Sequence, residues 1–305
     1  MTPDRLIADI GGTNSRIALA ASGVPLPQTV RILRNDDFAG VGPMLADFLA
    51  GVGQHPQEAV IAGAGPHAGG RLRLTNRDWL IDADELSRDL SLGKTHLLND
   101  LESLGHSLPV LADTLPVLHE APRDGRQALV VGIGTGFNVC PVTRQPDGGV
   151  VTWNSELGHA PLPMDIVAHL PELPAGRQTI EELFSGRGYL ALLSALGGRV
   201  VPDHEHAQTI LHADSGLADR FHGLFGTCLG LLLRMLTLAY MPGNGIFLAG
   251  SVARAALANE TVLKAVMQVD GPPVLGPGRR PALRLFDRDD AALTGLAAFD
   301  PAART

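Results

Sequence analysis

The feature that most constrains this chain is a short apolar run that carries a carboxylate and breaks at two glycines. Leu6-Ile7-Ala8-Asp9-Ile10 leads into Gly11-Gly12-Thr13-Asn14, and a second run resumes from Arg16 to Ala20. Run length and flanking residues predict strand, tight turn, strand. An aspartate inside a buried strand is costly unless it is used. Glycines let a backbone approach a phosphate closely, and their N–H groups with the Thr13 hydroxyl can cradle its oxygens. A carboxylate one step earlier can hold Mg²⁺ through water. The plainer alternative is an ordinary hairpin turn. The pattern then recurs as Ala128 to Val131, Gly132-Ile133-Gly134-Thr135-Gly136, and Asn138 to Val142. That second turn is not the dinucleotide fingerprint, because a strand follows it where a helix would be needed. Two such hairpins point to two related halves.

Between them lies His96-Leu97-Leu98-Asn99-Asp100, an apolar run delivering two polar residues to its carboxyl end. In open α/β sheets that end is where ligands sit. An aspartate there, beside an asparagine able to grip a hydroxyl, suits a general base acting on an alcohol. It equally suits an N-cap, with Asp100 opening the helix that follows.

The rest of the chain alternates in the same style. Strands are predicted at Thr29–Leu33, Glu58–Ala62 and Arg71–Leu74, and helices over Val41–Leu49 and Asp82–Leu90. Gly148 to Trp153 is read as extending the second sheet, and Pro161 to Gln178 as a surface connection. A long apolar helix is predicted from Gly216 to Tyr240, a buried strand at Gly245–Gly250, a last strand at Ala282–Phe286, and an amphipathic helix at Asp289–Phe299. This alternation makes the class α/β.

Composition narrows the function. The 305 residues are 45% hydrophobic and 18% charged, as in ordinary globular proteins. A net charge of −8 without a lysine or arginine cluster argues against nucleic acid as a partner. No signal pattern precedes the first strand. Leu229 to Met241 is short and interrupted by Arg234, so it reads as a core helix and no membrane is expected. Cys140 and Cys228 are isolated, which fits free thiols in a reducing cytoplasm.

Asp9-Ile10-Gly11-Gly12-Thr13-Asn14-Ser15-Arg16 resembles the first phosphate motif of the bacterial glucokinase family, within the sugar kinase, heat-shock protein 70 and actin superfamily. Further matches follow in family order: Thr75-Asn76-Arg77-Asp78-Trp79, Asn99-Asp100, Gly134-Thr135-Gly136, Glu156-Leu157-Gly158-His159, Glu181 before Ser185-Gly186, and Ala249-Gly250-Ser251-Val252. They span nearly the whole chain. The resemblance implies two actin-like (ribonuclease H-like) domains with a cleft between them. Residues 1–108 plus 288–305 would form the small domain and 109–287 the large one, the C-terminal helix returning to the first.

Carried over residue by residue, the likeness makes Asp100 the base that takes the proton of a sugar's 6-hydroxyl. Asn99, Glu156, His159 and Glu181 would bond the other hydroxyls, with Asn76 on the lip of the site. Gly11, Gly12, Thr13 and Asn14 would face the phosphates of ATP, with Gly134, Thr135 and Gly136 opposite and Gly250 bordering the nucleoside. Asp9 would hold Mg²⁺ through water. These roles suit the chemistry: sugar hydroxyls are donors and acceptors at once, and phosphoryl transfer needs mainly positioning and charge neutralisation.

Glu156 and His159 could also converge on a metal. In the related ROK proteins (repressors, open reading frames, kinases) this histidine joins a cysteine-rich zinc motif. No cysteine follows it here, so no zinc is expected. His159 has a plainer reading as a satisfied polar core residue. With the phosphate motif beginning at residue 9, no N-terminal DNA-binding segment is expected either. The likeness further implies a homodimer and a cytoplasmic location.

Three positions depart from the family pattern. Phe137-Asn138 stands where Leu-Gly is usual, Arg187 where Pro is usual, and Ser251 where a second Gly is usual. The expected function is ATP-dependent phosphorylation of glucose to glucose 6-phosphate. The alternatives are a kinase of another hexose (mannose or an amino sugar) and a non-catalytic sugar sensor. For a kinase Phe137 should pack under its turn, into the strand layer; a Phe137 that filled the phosphate space would favour the sensor.

Overall fold

A computed structural model describes residues 3–75, 77–171, 179–276 and 279–304. The chain divides into two compact units. The first comprises Met1–Thr114, Arg144–Asn154 and Arg288–Thr305, and the second Leu115–Thr143 and Ser155–Asp287.

In the first unit, Arg5–Ile10 and Asn14–Ala21 form the predicted hairpin, with Ile10 opposite Ser15 across the turn. Arg5–Ile10 then pairs in parallel with Glu58–Gly63, which pairs in parallel with Lys94–Asn99. Parallel strands covered on both faces should be apolar almost throughout; Arg5–Ile10 and Glu58–Gly63 are largely so, whereas in Lys94–Asn99 the apolar pair is Leu97-Leu98. One face packs on the helix Val41–Val52 through Met44, Leu45 and Phe48. The other packs on Leu293, Leu296 and Phe299 of the C-terminal segment, so the last helix, Ala291–Ala298, does return to the first unit. Arg5 fixes that return by donating to the carbonyls of Ala297 and Phe299 at 2.9 and 2.8 Å.

The predicted strand at Thr29–Leu33 is displaced. A 3₁₀ turn occupies Pro27–Thr29, and the strand is Arg31–Arg34. Pro27 lacks an N–H to give a ladder and presets the turn. The predicted helix at Asp82–Leu90 is Ala83–Asp89, because Asp82 stays extended and caps the N–H groups of Asp84 and Glu85.

In the second unit the strands lie in the order Val117–His119, Leu283–Leu285, Ile246–Ala249, Gln127–Ile133, Phe137–Arg144. The last two are the second hairpin, with Ile133 opposite Phe137. Ser215–Tyr240 is, among the described residues, the helix long and apolar enough to cross a membrane. Its Phe221, Phe225, Leu229, Leu232 and Leu236 recur at helical spacing and are buried in the core. Gly226 and Gly230 lie on its crossing with Glu260–Gln268, where an added Cβ would meet the Val262 and Val266 carbonyls at 2.5 and 2.9 Å. Part of the predicted connection at Pro161–Gln178 is a short helix, Met164–Val167; its residues 172–178 lie outside the described residues.

Candidate functional site

In the first unit the parallel register brings three strand ends to one edge. Ile10 lies beside Gly63, and Gly63 beside Asn99. The Gly11–Asn14 turn and the Asn99-Asp100 pair therefore emerge at the same carboxyl end of one sheet, although about 85 residues separate them in sequence. Asp9 reports that proximity. Burial first, and then the Asp100 charge, raise its carboxyl to about 6, with Arg16 partly offsetting both. Two carboxylates this close suit a hard cation between them and an anionic ligand. Among the described residues no cluster of three or more His, Cys, Asp or Glu could hold a metal by itself. Mg²⁺ needs no such cluster, since it keeps waters and shares its coordination with substrate phosphates.

Gly11 admits no side chain, because a Cβ there would sit 2.6 Å from the Asn14 carbonyl oxygen, which accepts the Gly11 N–H at 3.1 Å. Thr13 and Asn14 are exposed at the tip, Gly11 and Gly12 half-buried.

At Asp100 the two sequence readings separate. The N-cap of the helix Asp100–Leu111 is Asn99, whose Oδ1 accepts the Leu101 N–H at 3.0 Å. Asp100 is the first helical residue, half-buried; its Oδ1 also accepts the Leu101 N–H, at 2.9 Å, but the N-cap position and the capping box belong to Asn99. Glu102 completes the cap by accepting the Asn99 N–H at 2.8 Å. This buried carboxylate also meets His67 Nε2 at 2.6 Å and the Thr152 hydroxyl at 3.1 Å. Sequence reading missed Glu102 and His67. Glu three residues past an Asn before an apolar run was the available signal for the first; nothing pointed to the second. Asn99 Nδ2 reaches the Gly65 carbonyl at 3.2 Å. Asn76 lies outside the described residues.

In the second unit, Gly134 N–H bonds the Gly136 carbonyl at 2.9 Å, and Gly186 N–H bonds the Gly134 carbonyl at 2.8 Å. Gly250 follows the strand Ile246–Ala249 with φ +99°, and a Cβ there would meet the Ile133 carbonyl oxygen at 2.3 Å. Only glycine serves there. Gly134, Gly136 and Gly250 thus form one backbone surface, with Thr135 exposed on it. Glu181 borders it: one carboxylate oxygen accepts the Phe137 N–H at 3.1 Å, and the other pairs with Arg187. Glu156 is exposed and receives Asn138 Nδ2 at 3.2 Å, while Asn138 Oδ1 accepts the Leu157 N–H. The unusual residues Asn138 and Arg187 each hold a candidate sugar-binding carboxylate. His159 ends the 3₁₀ turn Leu157–His159 and is exposed, which rules out a satisfied core histidine. Phe137 is buried in the core, its ring 6.3 Å from that of Phe184. It lies in the strand layer, the placement expected for a kinase.

The family model for glucokinase matches residues 6–263. The glucokinase of Caulobacter vibrioides is 33% identical over 269 residues, which cover 81% of this chain and 80% of that protein. The chain belongs to the glucokinase family. A crystal structure of a glucokinase from an Antarctic psychrotroph matches with a TM-score of 0.79 at 23% identity, covering 96% of this chain and 97% of that one. Balamuthia mandrillaris glucokinase, solved in complex with glucose, matches with a TM-score of 0.70 at 20% identity, covering 96% and 92%. These likenesses show the fold, two actin-like α/β domains, as the resemblance implied.

Proposed function

We propose that this chain transfers the γ-phosphoryl group of ATP to the 6-hydroxyl of glucose, giving glucose 6-phosphate. Family membership supports the reaction, and one observation in the first unit carries the mechanism. The register delivers Asp100 and the Gly11–Asn14 turn to the same sheet end, while Asn99 takes over the cap. A base and a phosphate cradle on one edge are what the transfer needs.

Asp100 accepts the 6-hydroxyl proton as the oxygen attacks phosphorus. Asn99, Glu156, His159 and Glu181 hold the remaining hydroxyls, and Asn76 belongs to the same proposal. Gly11, Gly12, Thr13 and Asn14 face the phosphates in the first unit; Gly134, Thr135, Gly136 and Gly250 serve the nucleotide in the second. Mg²⁺, when bound, neutralises phosphate charge, and Asp9 would hold it through water. Zinc has no part in the proposal. The Balamuthia complex supports glucose as acceptor, and the two units act as the small and large domains. A cytoplasmic homodimer completes the reading.

A coupled ADP-release assay across glucose, mannose and amino sugars tests it. Glucose should be the preferred acceptor. Preference for another hexose would move the assignment within the kinases. Sugar binding without turnover on any of them would replace it with the sensor.

A further inference from the structure

We infer that Asn35 and Arg77 are positioning residues that orient the phosphate-binding turn by gripping its carbonyl oxygens, an inference that rests on the phosphate role proposed for Gly11–Asn14. Three successive carbonyls of that turn are held from outside the motif. Asn35 Nδ2 donates to the Gly11 oxygen at 2.8 Å, and Arg77 Nε donates to the Gly12 oxygen at 3.2 Å. The Asn35 backbone N–H donates to the Thr13 oxygen at 2.9 Å.

A trans peptide points its C=O and the following N–H in opposite directions. Holding the Gly11 and Gly12 oxygens therefore turns the Gly12 and Thr13 N–H groups to the other side of the turn. Which side that is follows from burial. Asn35 is completely buried, whereas Thr13 is exposed. The carbonyls face the protein and the N–H groups face outward, the arrangement of an anion-binding nest. Without these donors, a glycine pair could rotate its peptides at little cost.

Both donors are themselves fixed. Asn35 Oδ1 accepts the buried Ser15 hydroxyl at 2.7 Å, which settles the direction of its amide. Arg77 pairs with Asp36, the next residue after Asn35, and its guanidinium lies 4.7 Å from the centroid of the Trp79 ring. The hydrogen bond from Arg77, and then its charge, hold the Asp36 carboxyl below its usual range, so the pair stays ionised near neutral pH. A cation on the Gly12 oxygen also polarises that peptide and makes the Thr13 N–H a stronger donor. The turn has no lysine or arginine of its own; tertiary structure supplies one from 65 residues away.

The test is calorimetric titration of Mg²⁺–ATP and, separately, of glucose on the full chain, with steady-state kinetics alongside. Arg77→Leu should weaken Mg²⁺–ATP binding and raise its KM about tenfold, the scale of one charged hydrogen bond. Glucose affinity should stay within about twofold. Arg77→Lys should recover part of the loss. Asn35→Ala should show the same split, but its site is buried, so the partly exposed Arg77 decides. Unchanged Mg²⁺–ATP binding in Arg77→Leu, or an equal loss for both ligands, would overturn the inference while leaving the function intact. Absence of Mg²⁺–ATP binding in the unaltered protein, with glucose still bound, would overturn the function and this inference with it.

Discussion

The two glycine turns share a hairpin pattern, yet they are held in opposite ways. The Gly11–Asn14 turn is gripped on its carbonyls by a buried amide and a guanidinium. The Gly134–Gly136 turn closes largely on itself and on the Gly186 N–H, with the Glu181 carboxylate against the Phe137 N–H. A cation behind one turn favours an anion in front of it. A carboxylate beside the other suits a neutral ligand rich in hydroxyls. Within each unit, then, similar backbone is tuned by the charge of what touches it, and the first turn is better suited to a phosphate.

The sharpest way to break that division is at the base. Asp100→Asn should lower turnover about a hundredfold or more while leaving glucose binding largely intact, the usual range for losing a general base. Stopped-flow or steady-state turnover checks it, and near-normal rates would return Asp100 to a purely structural role.

Next come the carboxylates and histidine of the second unit. Glu156→Gln and His159→Ala should each cost roughly 1–3 kcal/mol of glucose affinity and leave Mg²⁺–ATP nearly unaffected. Glu181→Ala should differ from both, because Glu181 also holds the Phe137 N–H of the second turn, beyond the sugar contact proposed for it. Loss of affinity for both ligands is expected there, and a sugar-only effect would separate Glu181 from the turn.

A smaller effect should appear in the pH dependence of stability. The folded-state pKa of Asp9 is raised from 3.8 to about 6, so the folded chain holds this proton more tightly than the unfolded chain. The resulting stabilisation is present at low pH and is lost as pH rises through about 6. In the absence of nucleotide and divalent cation, Asp9→Asn should become progressively more stable than the unaltered chain over that range. The difference should reach roughly 1–2 kcal/mol after allowance for partial exposure. Parallel thermal melts from pH 5 to 8 measure it; a constant difference would place the titration elsewhere.

The smallest change is expected at Phe137. Phe137→Leu restores the residue usual in the family and shrinks a side chain that packs in the core. It should cost less than about 1.5 kcal/mol and leave the KM for ATP unchanged. A large change in that KM would show that the ring reaches the nucleotide.

Much of this was legible beforehand, and the reasons are local. The strand–turn–strand units at 6–20 and 128–142 follow from short apolar runs broken by glycine, as does the burial of the helix ending at Tyr240 from its spacing. The Arg31–Arg34 strand was misplaced because Pro27 sets a turn whose influence on the next residues is not periodic. Asn99-Asp100 was ambiguous for a physical reason: either residue can cap, and the choice depends on where helical backbone angles begin.

By itself, the sequence determined the α/β class, the doubled hairpin, the family and the residue types at the candidate site. Those depend on local backbone preference and on ordered motifs. Only the tertiary structure decided that Asn99 caps, that Glu102 and His67 support the strand end, and that Asn35 and Arg77 grip the turn. The last two act from 24 and 65 residues away. Hydrogen bonds over such separations leave no periodic trace, because they form only when the sheet register and the loops have already brought donor and carbonyl together.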